Sequence, residues 1–193
     1  MTRAVAALVV SSVLALTGCS SQEGTGDSGY ISGDGAITQR AVAEREQPIE
    51  LSGEDLSGAP LDLADFRGTP VVVVVWGSWC PPCVAEAPDV VAAAERLGAD
   101  AQFVGINLRD GDPAQAQAFE RNHDVPFPSF YSPDGREMLA FEGVLTPRSI
   151  PAFVVLDEEG RVAASINGGL PSTTTLVDLV EDVTPDRRGS ARG

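Results

Sequence analysis

Residues 71–86 read V-V-V-V-V-W-G-S-W-C-P-P-C-V-A-E, and the rest of the chain is arranged around how this stretch folds. Its unbroken run of β-branched residues is too short to cross a membrane and predicts a strand buried on both faces. Where the apolar run stops, two cysteines follow with two residues between them. Pro81 and Pro82 fall in the first turn of an expected helix, where proline is tolerated because that amide has no intrahelical partner. The reading is therefore strand, tight turn, cysteine, helix. Unpaired amides and the positive end of the helix dipole would stabilise a thiolate at Cys80, which points to thiol-disulfide exchange.

The chain has 193 residues, 43% of them hydrophobic, enough for one domain with a real core. It carries 28 acidic residues against 13 basic ones, all arginine, for a formal charge of −15. Such a balance excludes nucleic acid as a partner, since a phosphate-binding face needs clustered positive charge. It also keeps the surface from lying flat on anionic lipid. Of the three cysteines, two form the C-x-x-C unit and Cys19 stands apart.

Met1-Thr2-Arg3 and an apolar run from Ala4 to Leu16 have the charged start and short core of a secretory signal. The run is shorter than the ~20 residues of a membrane span. It ends in L-T-G-C, which resembles the lipobox of bacterial lipoproteins, with Cys19 as the lipidated residue; the plainer reading is an ordinary secretory signal ending in cysteine. Residues 1–18 are accordingly expected to be a lipoprotein signal peptide. Residues 19–47, rich in Gly, Ser, Asp and Glu, are expected to form a flexible tether, because they hold too little apolar surface to offset ordering.

The globular domain is expected over residues 48–184, followed by a disordered tail at 185–193. Residues 49–51 and 60–63 predict a hairpin across a glycine-containing loop. Residues 84–97 read as a helix ending at Gly98, and 101–108 as a second core strand. Asp112 caps a helix with Pro113 at its first position. Residues 125–130, interrupted by two prolines, read as an extended edge segment. Residues 152–156 and 161–166 form a second hairpin, and Leu176, Val177, Leu179, Val180 and Val183 repeat at helical spacing. The fold class is α/β, a mixed sheet covered on both faces.

At W-G-S-W-C-P-P-C-V-A-E-A-P, with D-F-R-G-T-P-V-V-V-V-V before it and S-I-P-A-F-V-V-L-D-E-E-G-R-V after it, the chain resembles the membrane-associated thioredoxin-like proteins of the TlpA/ResA type. These serve cytochrome c maturation and related thiol chemistry outside the cytoplasm. The resemblance implies a thioredoxin-like mixed sheet flanked by helices, with an added N-terminal β-hairpin and an insertion after the redox helix, within residues 100–141. It implies a redox-active disulfide, Cys80-Cys83, and no other cofactor. Cys80, partly exposed, would attack, and Cys83 would resolve the mixed disulfide. Glu86, three residues after Cys83, matches the family's acidic residue and would tune the thiols by raising their pKa and exchanging protons. Pro151 matches a cis-proline lying against the disulfide, with Ile150 before it biasing which partner fits; Pro147 is the competing proline. Trp79 would offer a stacking face to substrate.

Simpler readings stand beside these. The cysteines could be half of a zinc site, although a tetrahedral site needs about four ligands and only His123 and Cys19 remain. They could form a purely structural disulfide, but so short a loop constrains little chain. Glu86 could simply complement the helix dipole, Trp76 could be core, His123 a surface residue, and residues 109–112 a solvated turn.

The function that follows is a lipid-anchored, monomeric protein-disulfide reductase on the outer face of the cytoplasmic membrane. Its substrate would be apocytochrome c or a related secreted protein, and its electrons would come from a thiol donor in the membrane. The alternatives are an oxidase or isomerase of secreted disulfides and a non-catalytic binding lipoprotein. A peroxidase is disfavoured, because Gly77 stands where such enzymes place Thr or Ser.

Overall fold

The valine run becomes an interior strand of a seven-stranded sheet in the computed structural model, which describes residues 31–32 and 35–183. In chain order the elements are β1 (Ile31–Ser32), β2 (Gly35–Gln39), β3 (Ser52–Glu54), β4 (Pro60–Asp62), β5 (Val71–Trp76), α1 (Pro81–Leu97), β6 (Gln102–Leu108), α2 (Pro113–Asn122), β7 (Ser129–Ser132), β8 (Ala152–Leu156), β9 (Val162–Gly168) and α3 (Thr173–Val183). Short 3-10 turns at Leu63–Phe66 and Arg136–Phe141 lie among the connections. The sheet order is β1-β2-β9-β8-β5-β6-β7, while β3 and β4 form a separate hairpin. β5 runs parallel to β6 and antiparallel to β8, so the sheet is mixed as expected.

The two-residue period of β5 divides its side chains between two cores. Val72, Val74 and Trp76 face a layer built from α1, α2 and α3; Val71, Val73 and Val75 face Leu63, Met138 and Phe141 of the 3-10 turns. All three α-helices thus contribute to one side of the sheet, and short turns close the other. Every residue of β5 is buried, and each valine withdrawn from water contributes about 1.5–3 kcal/mol. That burial on both faces holds the end of β5, where the cysteine turn begins, in a fixed place.

Three boundaries differ from expectation by more than two residues. The tether expected over residues 19–47 overlaps β2, which pairs antiparallel with β9, and Ile37 is buried in the core. Beyond β2 the Arg40 amide donates to the Ala163 carbonyl at 2.8 Å, and Arg45 pairs with buried Asp157 at 3.0 Å. The polar composition of residues 19–47 as a whole concealed β1 and β2, the second of which satisfies the hydrogen-bonding edge of β9. The first hairpin pairs residues 52–54 with 60–62, three residues later than residues 49–51, because Leu51 turns inward to the core and its carbonyl accepts the Leu63 amide. The edge strand β7 starts only after Pro128, since proline cannot donate to the ladder with β6. The expected signal peptide, Cys19 and the tail at 185–193 lie outside the described residues.

Candidate active site

Helix α1 begins at Pro81, and Cys80 is its N-cap. Its sulfur accepts the Cys83 amide at 3.3 Å, so a helix-start donor already points at the sulfur that would carry negative charge. The turn is closed by the Cys80 amide donating to the Gly77 carbonyl and the Val84 amide donating to the Cys80 carbonyl, both at 3.1 Å. Cys80 and Cys83 are joined as a disulfide, their Cα atoms 5.2 Å apart. Cys80 is not partly exposed as expected: only 3% of its surface is accessible, because it packs into the core cluster that includes Trp76, Cys83 and Ala87. Among the described residues, no group of three or more His, Cys, Asp or Glu side chains is placed to hold a metal ion.

Glu86 lies on the next turn of α1 and shares with Cys83 the wall of an apolar cavity of about 20 Å³, also lined by Trp76, Val90 and Phe119. Its Oε2 accepts the Leu170 amide at 2.8 Å. Burial, opposed by that hydrogen bond and reinforced by nearby Asp89, pushes its pKa up to about 7. A carboxyl tuned this way exchanges protons readily at neutral pH.

The Ile150-Pro151 peptide is cis, whereas Pro147 is not among the cis bonds. Ala152 pairs with Val75, which puts Pro151 at the same end of the sheet as the cysteine turn. The Pro151 carbonyl accepts the Gly168 amide at 3.1 Å, and half-buried Ile150 packs against both cores. Trp79 is 47% exposed, its indole N–H donating to the Leu108 carbonyl at 2.9 Å. Trp76 is core: it is 4% exposed, stacks on Phe119 at 4.5 Å, and donates to Ser129 Oγ at 3.2 Å. His123 caps the end of α2, with its ring against Phe119.

Residues 109–112 are not simply a solvated turn. Asp110 is 1% exposed, and its carboxylate accepts three hydrogen bonds: from the Ser78 amide at 3.0 Å, from the Ser78 hydroxyl, and from Asn107 Nδ2 at 2.5 Å. It therefore clamps the turn two residues before Cys80. The signal in the sequence was Asn107, a polar residue inside an apolar strand, which needs a buried partner.

The Redoxin family description matches residues 40–182. The chain belongs to the Redoxin family. Within it, the chain is 40% identical over 102 residues to the soluble secreted antigen MPT53 of Mycobacterium tuberculosis, a match covering 52% of this chain and 56% of that relative. It is 26% identical over 151 residues to the thiol-disulfide oxidoreductase ResA of Bacillus thuringiensis, covering 73% and 83%. Among solved structures, a secreted thiol-disulfide isomerase from Corynebacterium glutamicum superposes with a TM-score of 0.70 at 29% identity, over 79% of this chain and 96% of that one. The TlpA/ResA resemblance and the thioredoxin-like fold of this Redoxin chain are thereby upheld.

Proposed function

We propose that this Redoxin chain is an extracytoplasmic protein-disulfide reductase, held at the outer face of the membrane through lipidated Cys19. The observation that carries the chemistry is the Cys80-Cys83 pair at the start of α1, on the sheet end shared with cis Pro151. In the reduced enzyme the Cys80 thiolate attacks one sulfur of a substrate disulfide; a mixed disulfide forms, and the other substrate sulfur leaves as a thiolate and takes a proton. Cys83 gives its proton to ionised Glu86, and its thiolate attacks Cys80. The second substrate sulfur leaves as a thiolate, takes a proton from solvent, and Cys80-Cys83 closes, so two electrons have passed to the substrate. A membrane thiol donor restores the pair, and Glu86 returns a proton to Cys83 as it leaves.

Trp79 and Ile150 flank the segment of substrate that docks. Reduction outside the cytoplasm needs a specific client, because that compartment favours disulfides. Apocytochrome c, whose haem-attachment cysteines must be thiols, fits that need. The secreted nature of MPT53 supports the location. A second reading, isomerisation of secreted proteins, draws support from the Corynebacterium glutamicum structure.

Trapping tests the mechanism and finds the client. A Cys83→Ser chain accumulates a mixed disulfide through Cys80, which reductant releases, whereas Cys80→Ser forms none. Equal adduct formation by both variants would overturn the assignment of roles.

A further inference from the structure

The two walls of the proposed substrate groove come from segments far apart in sequence, and one residue joins them. The Trp79 wall is gripped by the turn after β6: the Leu108 carbonyl accepts the Trp79 indole N–H, and Asp110 accepts the Ser78 amide and hydroxyl. Between those two residues stands Arg109, in the left-handed region at φ 58°, a conformation disfavoured for any residue with a side chain. Its amide is fixed to the Ser132 carbonyl at 3.1 Å, at the end of β7. Its guanidinium reaches away from this turn and donates to the Pro147 carbonyl, in the loop that leads into cis Pro151.

That loop is held from its other side by β9. Asn167 donates to the Val144 carbonyl at 3.2 Å and accepts from Ser149 Oγ at 2.8 Å. Arg109 thus supplies the side-chain hydrogen bond that ties the cis-proline loop toward the Trp79 side. It is exposed, so the core does not require it. A left-handed backbone at a residue whose side chain bridges two functional segments is the pattern of a site where local strain is retained for position.

We propose that Arg109 is a positioning residue that sets the spacing between the Trp79 wall and the cis-proline wall, and so the affinity for an extended protein substrate. The inference rests on the reductase reading. It requires no contact between Arg109 and the reacting sulfurs: docking changes, while exchange within the docked complex does not.

The test mixes the reduced full chain with a synthetic peptide carrying an intramolecular C-x-x-C-H disulfide and follows electron transfer by tryptophan fluorescence against peptide concentration. Arg109→Met keeps the length of the side chain and the backbone cost but removes the donor; Arg109→Lys keeps one donor. For Arg109→Met, the peptide concentration at half-maximal rate rises about 3- to 10-fold, the factor set by one hydrogen bond. The limiting rate and the Cys80-Cys83 potential stay at wild-type values, and Arg109→Lys recovers most of the affinity. Wild-type half-saturation in Arg109→Met would overturn the inference, as would a shifted potential or a limiting rate that falls in step. A wild-type chain that reduces no disulfide would overturn the reductase reading and this inference with it, whereas an active wild type with a silent Arg109→Met overturns the inference alone.

Discussion

Replacing Glu86 by glutamine separates the charge of this side chain from its shape, because an amide oxygen can still accept the Leu170 hydrogen bond. The carboxyl has an ordinary pKa of 4.5 and is pushed up to about 7 in the folded protein, chiefly by burial. Between those values the folded state binds more protons than the unfolded state, so stability falls as pH rises through that window. At 1.36 kcal/mol per unit, the full shift corresponds to about 3.4 kcal/mol; water reaching the exposed part of this half-buried group reduces that to about 1–3 kcal/mol. Urea denaturation of the disulfide-bonded protein, in which no active-site thiol titrates, measures the effect. Glu86→Gln is expected to match wild type at pH values below about 4.5 and to exceed it by about 1–3 kcal/mol at about pH 8. A stability difference that stays constant across this range would show that burial does not raise the Glu86 pKa, as would a wild type that gains on the variant with rising pH.

Two further perturbations probe the supports of the cysteine turn. Asp110→Ala leaves the half-buried Ser78 amide and the buried Asn107 Nδ2 without their acceptor, which costs about 2–4 kcal/mol in chemical denaturation; an unchanged midpoint would show that the clamp contributes nothing. Gly105→Ala would drive its Cβ into Ser129 Oγ and place it 2.7 Å from Trp76 Nε1, so a loss of about 1–3 kcal/mol and a Tm lower by several degrees are expected. A wild-type Tm would mean that the Trp76–Ser129 contact has room that the structure does not show.

The sequence displayed the centre of the fold more clearly than its margins. Five valines followed by C-P-P-C leave few options, because burial on both faces and proline at a helix start each restrict local geometry. The cis bond before Pro151 was accessible only through the TlpA/ResA resemblance, since local sequence carries little preference for it. β2 was hidden because its pairing with β9 spans most of the chain, and a short strand among polar residues gains its reason only from that partner. Asp110 and Arg109 read as a turn because an acidic and a basic residue beside glycine normally face water. What ties them to the cysteine turn and the cis-proline loop is tertiary: Asp110 accepts from Ser78, and Arg109 donates across to Pro147. Trp76 and Trp79, three residues apart, part at the end of β5: the strand carries Trp76 into the core and leaves Trp79 exposed on the turn.

Equilibration with glutathione buffers measures the reduction potential of the Cys80-Cys83 pair, on which its direction of electron flow depends. A reductase requires a value more negative than about −200 mV, in the range of thiol reductants, and that is the predicted result; a value of about −180 to −120 mV, where isomerases and strong oxidants lie, would contradict it.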